Sequence, residues 1–108
     1  MNQFNLYIGA NNQTGERQTQ SIEDSLAAFF EGWTLTDAFG YWQGKREKST
    51  LVTIFTPKDR IYMLSVCRTL AVQLGQDCIC LQSLVYEDGQ LVHYIDFVPQ
   101  YGDVETPV

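Results

Sequence analysis

Two short stretches of the chain carry residue types suited to chemistry. The first is Gly40-Tyr41-Trp42-Gln43-Gly44-Lys45-Arg46-Glu47-Lys48, where two aromatic rings stand beside a mixture of acids and bases. It fits a solvated turn with two half-buried rings. It also fits a ligand-facing loop in which Tyr41 or Trp42 meets a cation or an adenine ring. The second is Gly75-Gln76-Asp77-Cys78. Here a helix stop with two polar turn residues competes with a carboxamide and a carboxylate aimed from a strand mouth by rigid flanking elements. The common catalytic signatures are missing: the sequence holds no Gly-rich phosphate loop, no His-x-Glu or Cys-x-x-Cys metal pattern and no Ser/His/Asp set. The lone histidine, His93, alternates with Leu91 and Ile95, as a packed or surface residue of a strand does.

Composition bounds the rest. The chain has 108 residues, 44% hydrophobic and 19% charged, an ordinary balance for one globular domain spanning 1–108. No apolar run reaches the roughly 18 to 20 residues that cross a bilayer. Met1 to Asn5 lacks the basic flank and apolar stretch of a signal peptide, so the expected compartment is the cytoplasm. The net charge of -6 argues against nucleic acid or an anionic membrane as partner. Three cysteines suit no closed disulfide framework, and with His93 far away they build no four-ligand zinc site. Cys67, Cys78 and Cys80 are therefore expected to be buried, inert thiols, and no metal or cofactor is expected.

These residues need elements to position them. Phe4, Leu6 and Ile8 alternate in a first strand, Phe4 to Ala10, and Asn11 to Gln20 reads as a polar loop. Ser21 is expected to open a helix with Asp24 as a shortened capping box; Ile22, Leu26, Phe29 and Phe30 keep helical spacing and Gly32 stops it. Trp33 to Gly40 and Leu51 to Phe55 read as two strands of a hairpin joined by polar Tyr41 to Ser49. Thr56-Pro57 is expected to open a second helix, with a Thr-x-x-Asp cap completed by Asp59 and Gly75 at the C-terminus. Cys78 to Val85, an Asp88-Gly89 turn and Leu91 to Val98 form a last hairpin, and the polar tail from Pro99 is expected to fray. The order βαββαββ predicts an α+β, ferredoxin-like fold with an extra C-terminal strand and helices on one face of an antiparallel sheet. That fold hosts many functions, so function must be argued from sites.

The segment Ile61 to Leu81, with its helix, Gln76-Asp77 pair and apolar strand, resembles the small phage S-adenosylmethionine lyases, also known as S-adenosylmethionine hydrolases. Gly32 to Gly40, then Tyr41, then Glu47-Lys48-Ser49 resembles the same family's strand, tyrosine and Glu-Lys hairpin. The interval from Tyr41 to Glu47 is shorter than in the family pattern. The resemblance implies a PII-like subunit in a homotrimer, with ligand in clefts between subunits. It also implies Tyr41, Glu47 and Asp77 as catalytic residues, and Gln76 as substrate-binding. Trp42 joins Gln76 from the aromatic pair.

The implied reaction is a ring closure. The substrate's own carboxylate attacks its γ-carbon and expels the sulfonium as a thioether, giving 5′-methylthioadenosine and homoserine lactone. It needs proximity and a dry site rather than metal or a protein nucleophile. The implied substrate is S-adenosylmethionine or a conjugate such as its AMP adduct. Two other readings stand beside this one: a PII-like sensor of adenine nucleotides, and a plain structural oligomer. A sensor wants a long mobile loop and basic residues for polyphosphate, and both are scarce in the sequence.

Overall fold

The computed structural model describes residues 1–106. Its elements are β1 (Asn2–Gly9), α1 (Thr19–Leu26), β2 (Thr34–Trp42), β3 (Lys45–Thr56), α2 (Arg60–Leu74), β4 (Cys78–Glu87) and β5 (Gln90–Pro99). The strands form one sheet in the order β2-β3-β1-β4-β5, and every pairing is antiparallel. The run β2-β3-β1-β4 is the ferredoxin-like order, with β5 added beyond β4 by a hairpin. Alternation decides the faces. Phe4, Leu6 and Ile8 of β1, Val52 and Ile54 of β3, and Ile79 and Leu81 of β4 are fully buried against Ile22 and Leu26 of α1 and Met63, Cys67 and Leu70 of α2.

The hairpin between β2 and β3 is tighter than its polar sequence suggests. Pairing runs to Trp42 opposite Lys45, which leaves a two-residue turn. Gln43 and Gly44 both take positive φ, 50° and 78°, and Asp88 and Gly89 repeat the pattern at 51° and 78°. Both are two-residue turns of the twist-matched kind that joins antiparallel strands. Tyr41, Trp42 and Glu47 thus lie on strands, not in a loop.

Both helix starts differ from expectation. α1 begins at Thr19 behind Gln18, which makes no side-chain cap; its Nε2 donates instead to the carbonyl of Leu74 at 3.2 Å. Asp24 accepts from Gln20 within the helix rather than capping it. The helix ends at Leu26, and Phe29 and Phe30 pack on the core from the turns that follow, Phe30 edge-on to Tyr62 at 6.2 Å. For α2, Asp59 itself is the N-cap and accepts from the backbone N–H of Tyr62 at 2.9 Å. Thr56 ends β3 opposite Asn2 and its Oγ1 accepts from the N–H of Lys58, and α2 begins only at Arg60, so Thr56 does not cap it and Pro57 lies ahead of its first turn. Gly75 ends α2 in the left-handed region, as expected.

The tail does not fray as far as it is described. Phe97 and Glu105 exchange two backbone hydrogen bonds, and Arg68 donates to the carbonyls of Pro99 and Gly102. Residues 107 and 108 of that tail lie outside the described span. The cysteines also differ: Cys67 is buried, but Cys78 is exposed and Cys80 half-buried, because the inward positions of β4 are Ile79, Leu81, Ser83 and Val85. Burial still pushes all three thiols up, which disfavours the reactive thiolate.

No helix among the described residues is long and apolar enough to cross a membrane. The sheet face away from the helices is uncovered. It exposes Tyr7, Phe55, Ile95 and Phe97 around a polar ladder. Thr53 donates to Asn5, Asn5 and Tyr7 donate to Gln82, and Gln82 meets His93 at 3.1 Å. His93 is thus a surface member of a polar row.

Candidate functional site

All of the sequence-derived candidates gather at one end of the sheet. That end is formed by the last residues of β1 and β2 and the first of β3 and β4. Within it they divide between faces. Tyr41 stands opposite Arg46, and Phe39 opposite Lys48, on the helix side. Gly40 stands opposite Glu47, and Trp42 opposite Lys45, on the open side. Tyr41 and Trp42 are 75% and 67% exposed, so neither ring is held by the core. Glu47 is also exposed.

Gln76 is different, being only 6% exposed. Its Nε2 donates to the carbonyl of Ala10 at 2.8 Å, and its backbone carbonyl accepts from Gln100 at 2.9 Å. Its Oε1 lies over Gly9, where a Cβ would come within 3.0 Å. The carboxamide therefore ties the end of β1 to the start of β4. Asp77, next in sequence, is exposed and lines a small hollow with Pro99, Gln100 and Tyr101. One subunit does not bring Tyr41, Glu47 and Asp77 into a common cleft.

A larger cleft of about 400 Å³ lies between the hairpin and the loop after β1, lined by Ala10, Asn11, Asn12, Gly15, Phe39, Arg46, Glu47 and Lys48. The loop wall is braced from within: Asn11 Oδ1 accepts from the N–H groups of Gln13 and Thr14, and Asn12 Nδ2 donates to the carbonyl of Gly75. On the facing wall, the Arg46 guanidinium lies over the Phe39 ring at 3.9 Å and that of Arg17 at 5.0 Å. Arg17 also donates to the carbonyls of Ser49 and Ala38, at 2.9 and 2.7 Å. Lys48 pairs with Glu16 at 2.9 Å, and this hydrogen bond holds the Glu16 carboxyl below its usual range.

Sequence reading missed Phe39, Arg17 and the Asn11–Gly15 wall. Basic residues are few, yet Arg17, Lys45, Arg46 and Lys48, four of the seven, meet at this hairpin. The missing signal was Gln43-Gly44: once it is taken as a two-residue turn, the pairing of Phe39 with Lys48 and Tyr41 with Arg46 follows by counting. Among the described residues, no group of three or more His, Cys, Asp or Glu side chains is placed to share a metal ion.

No protein-family model matches the chain, and no curated protein sequence does either. Solved structures do. A phage SAM lyase in its apo state superposes with a TM-score of 0.60 over 98% of this chain and 87% of its own, at 12% identity. A phage SAM lyase in complex with S-methyl-5′-thioadenosine superposes with a TM-score of 0.63 over 94% of this chain and 92% of its own, also at 12% identity. The fold resembles that of the phage SAM lyases across nearly its whole length. At this identity the likeness establishes the shared architecture, and the chemistry has to be argued from the site.

Proposed function

We propose that this protein is an S-adenosylmethionine lyase. The observation that carries the reading is the near-full-length structural likeness to a lyase bound to S-methyl-5′-thioadenosine, which is the thioether product of the ring closure. The grouping of Tyr41, Trp42, Glu47, Gln76 and Asp77 at one end of the sheet supports it.

In the reaction a substrate carboxylate oxygen bonds to the γ-carbon while the γ-carbon–sulfur bond breaks. The electron pair goes to sulfur, which becomes neutral, and the closed ring leaves as homoserine lactone. Charge is lost along the way, so a water-poor site that folds the methionyl chain onto itself favours the transition state. Tyr41 faces the sulfonium or the methionyl part. Glu47 and Asp77 hold the α-ammonium, and the carboxamide of Gln76 binds the ammonium or the ribose. Because these residues divide between two faces of one subunit, the working site is formed between subunits of a homotrimer. The uncovered sheet face, with Tyr7, Phe55, Ile95 and Phe97, is the surface that association buries. Trp33 and Phe39 do not contribute there, since Trp33 packs on the core and Phe39 stands on the helix side.

The substrate is S-adenosylmethionine or its AMP conjugate, the step needs no metal, and the enzyme works in the cytoplasm. Incubation of the purified protein with each substrate, followed by chromatography, should release methylthioadenosine and homoserine lactone, with or without EDTA. Recovery of both substrates unchanged overturns the reading; loss of activity with EDTA and recovery with zinc or magnesium overturns the metal-free step.

One observation favours the sensor alternative: the basic residues meeting at the hairpin supply the charge that a nucleotide-binding regulator wants. Against it stands the two-residue turn, which leaves no long loop with which to touch a partner.

A further inference from the structure

Arg46 differs from the other three arginines in its partners. Arg17 donates to two backbone carbonyls and sits 3.7 Å from Asp37; Arg60 grips Asp96; Arg68 donates to Pro99 and Gly102. Among the described residues, no carboxylate or carbonyl engages the N–H groups of Arg46. Its guanidinium lies over Phe39 at the wall of a cleft of about 400 Å³, a size at the lower end of small-molecule sites.

We propose that this cleft binds the phosphate of a nucleotide, with Arg46 as its bidentate donor and Lys48 as a second positive charge. A flat, always-charged fork matches two phosphate oxygens at once, and stacking fixes it in advance so that little rotamer freedom is lost on binding. The ring of Phe39 gathers Arg17 as well as Arg46; Asp37 balances Arg17 at 3.7 Å and Glu16 balances Lys48 at 2.9 Å, so among the described residues Arg46 is the cation of this wall with no carboxylate partner. Glu47, the acid among the lining residues, alternates to the opposite face of β3 from Arg46 and Lys48, so its carboxylate does not stand between them. Lys48 keeps Glu16 at 2.9 Å, and an arriving phosphate competes for that lysine. The identity of the molecule that brings the phosphate rests on the lyase reading. It is either the substrate's own, in an adenylated S-adenosylmethionine, or that of a separate nucleotide that sets the enzyme's rate.

The test is calorimetric titration of wild type, Arg46→Ala and Arg46→Lys with AMP and with inorganic phosphate. In parallel, turnover of adenylated and free S-adenosylmethionine is measured, with and without added AMP. The expected result is at least a tenfold loss of AMP affinity in Arg46→Ala and a partial loss in Arg46→Lys, which keeps the charge but not the fork. A wild-type preference for the adenylated substrate that shrinks in Arg46→Ala assigns the phosphate to the substrate. No preference, but a rate that AMP changes only when Arg46 is present, assigns it to a separate nucleotide. Equal AMP affinity in all three proteins overturns the inference and leaves the lyase reading intact if methylthioadenosine is released. Arg46-dependent AMP binding with no turnover of either substrate removes the lyase reading and keeps the phosphate site. Arg46→Lys keeps the test readable if Arg46→Ala disturbs the hairpin.

Discussion

Arg60 and Arg46 lie against aromatic rings near opposite edges of the sheet. Arg60 sits over Tyr94 of β5 at 4.3 Å, and Arg46 over Phe39 of β2 at 3.9 Å. The stacking is alike; the company is not. Arg60 donates Nε and Nη2 to the two oxygens of Asp96, at 2.8 and 2.6 Å, and the Thr106 hydroxyl adds a third bond to that carboxylate. The Asp96 side chain is fully buried. Tyr94 adds its own hydroxyl to Glu87, which raises the phenol above its ordinary value. Among the described residues, no carboxylate or hydroxyl engages Arg46 in this way. The first arginine closes a structural joint between α2, β5 and the tail, whereas the second presents a positioned charge to a cleft. The contrast teaches that an arginine's role is read from whether its donors are satisfied, and burial or stacking alone does not decide it.

The largest expected effect tests the structural half of that contrast. Asp96→Asn removes the charge from a buried, bidentate pair and leaves Arg60 uncompensated, a change that costs about 3 to 5 kcal/mol. For a chain of this size each kcal/mol moves Tm by roughly 4 to 8 °C, so thermal unfolding should drop by more than about 10 °C. Arg46→Ala should stay within about 0.5 kcal/mol of wild type. Equal losses in the two variants would erase the distinction. Acid sharpens it further. Burial pushes the Asp96 carboxyl up, but the Arg60 and Thr106 hydrogen bonds outweigh burial and hold it below its usual range. A depressed carboxyl contributes stability in full above the unfolded value of about 4. It loses that contribution as pH falls through the still lower folded value. Wild type should therefore lose stability below about pH 4, and Asp96→Asn should lack that part of the acid transition.

The next effect belongs to the proposed site, where changes should reach turnover and spare folding. Glu47→Gln and Asp77→Asn keep shape and remove a charge. A charge-assisted hydrogen bond of about 1.5 to 3 kcal/mol corresponds to a loss of roughly 10- to 150-fold in kcat/KM. Both residues are exposed, so melting should move little. If both variants keep wild-type turnover, the assignment of these carboxylates fails even in a working lyase.

How far this was legible from sequence follows from the range of each interaction. The order βαββαββ, the Asp88-Gly89 turn and the Gly75 stop rest on local pattern, and the structure keeps them. Asp59 caps α2 because pairing with Asn2 carries β3 through Thr56 and delays the helix to Arg60, a contact across more than fifty positions that no window of sequence holds. The tail was misjudged for the same reason: its anchors, Asp96 and Arg68, look like ordinary surface charges until β5 and α2 are brought together. At the candidate site, local pattern places Gln76 and Asp77 behind a helix stop and Tyr41 with Trp42 on a hairpin, and the structure keeps those placements. The stacked Arg46 was not legible, because it needs the strand register, and the register hangs on a two-residue turn inside a polar stretch.

The smallest expected effect probes a single close approach. Gln76 Oε1 lies where a Cβ on Gly9 would come within 3.0 Å, and its Nε2 holds the carbonyl of Ala10 at 2.8 Å. In Gly9→Ala the carboxamide has to shift by a few tenths of an ångström or strain the end of β1. A side chain can yield more easily than a sheet, so the cost to stability should be at most about 1 kcal/mol, the low end of overpacking. The consequence for turnover depends on what the carboxamide does. If Gln76 positions substrate, so small a displacement should lower kcat/KM by about tenfold or less, since misplacement by a full ångström costs on the order of a hundredfold. Gln76→Ala removes the obstructing oxygen, so Gly9→Ala made in that background should have almost no further effect on activity. Additive losses in the double variant would mean that the methyl group acts through the β1 backbone and not through the Gln76 carboxamide.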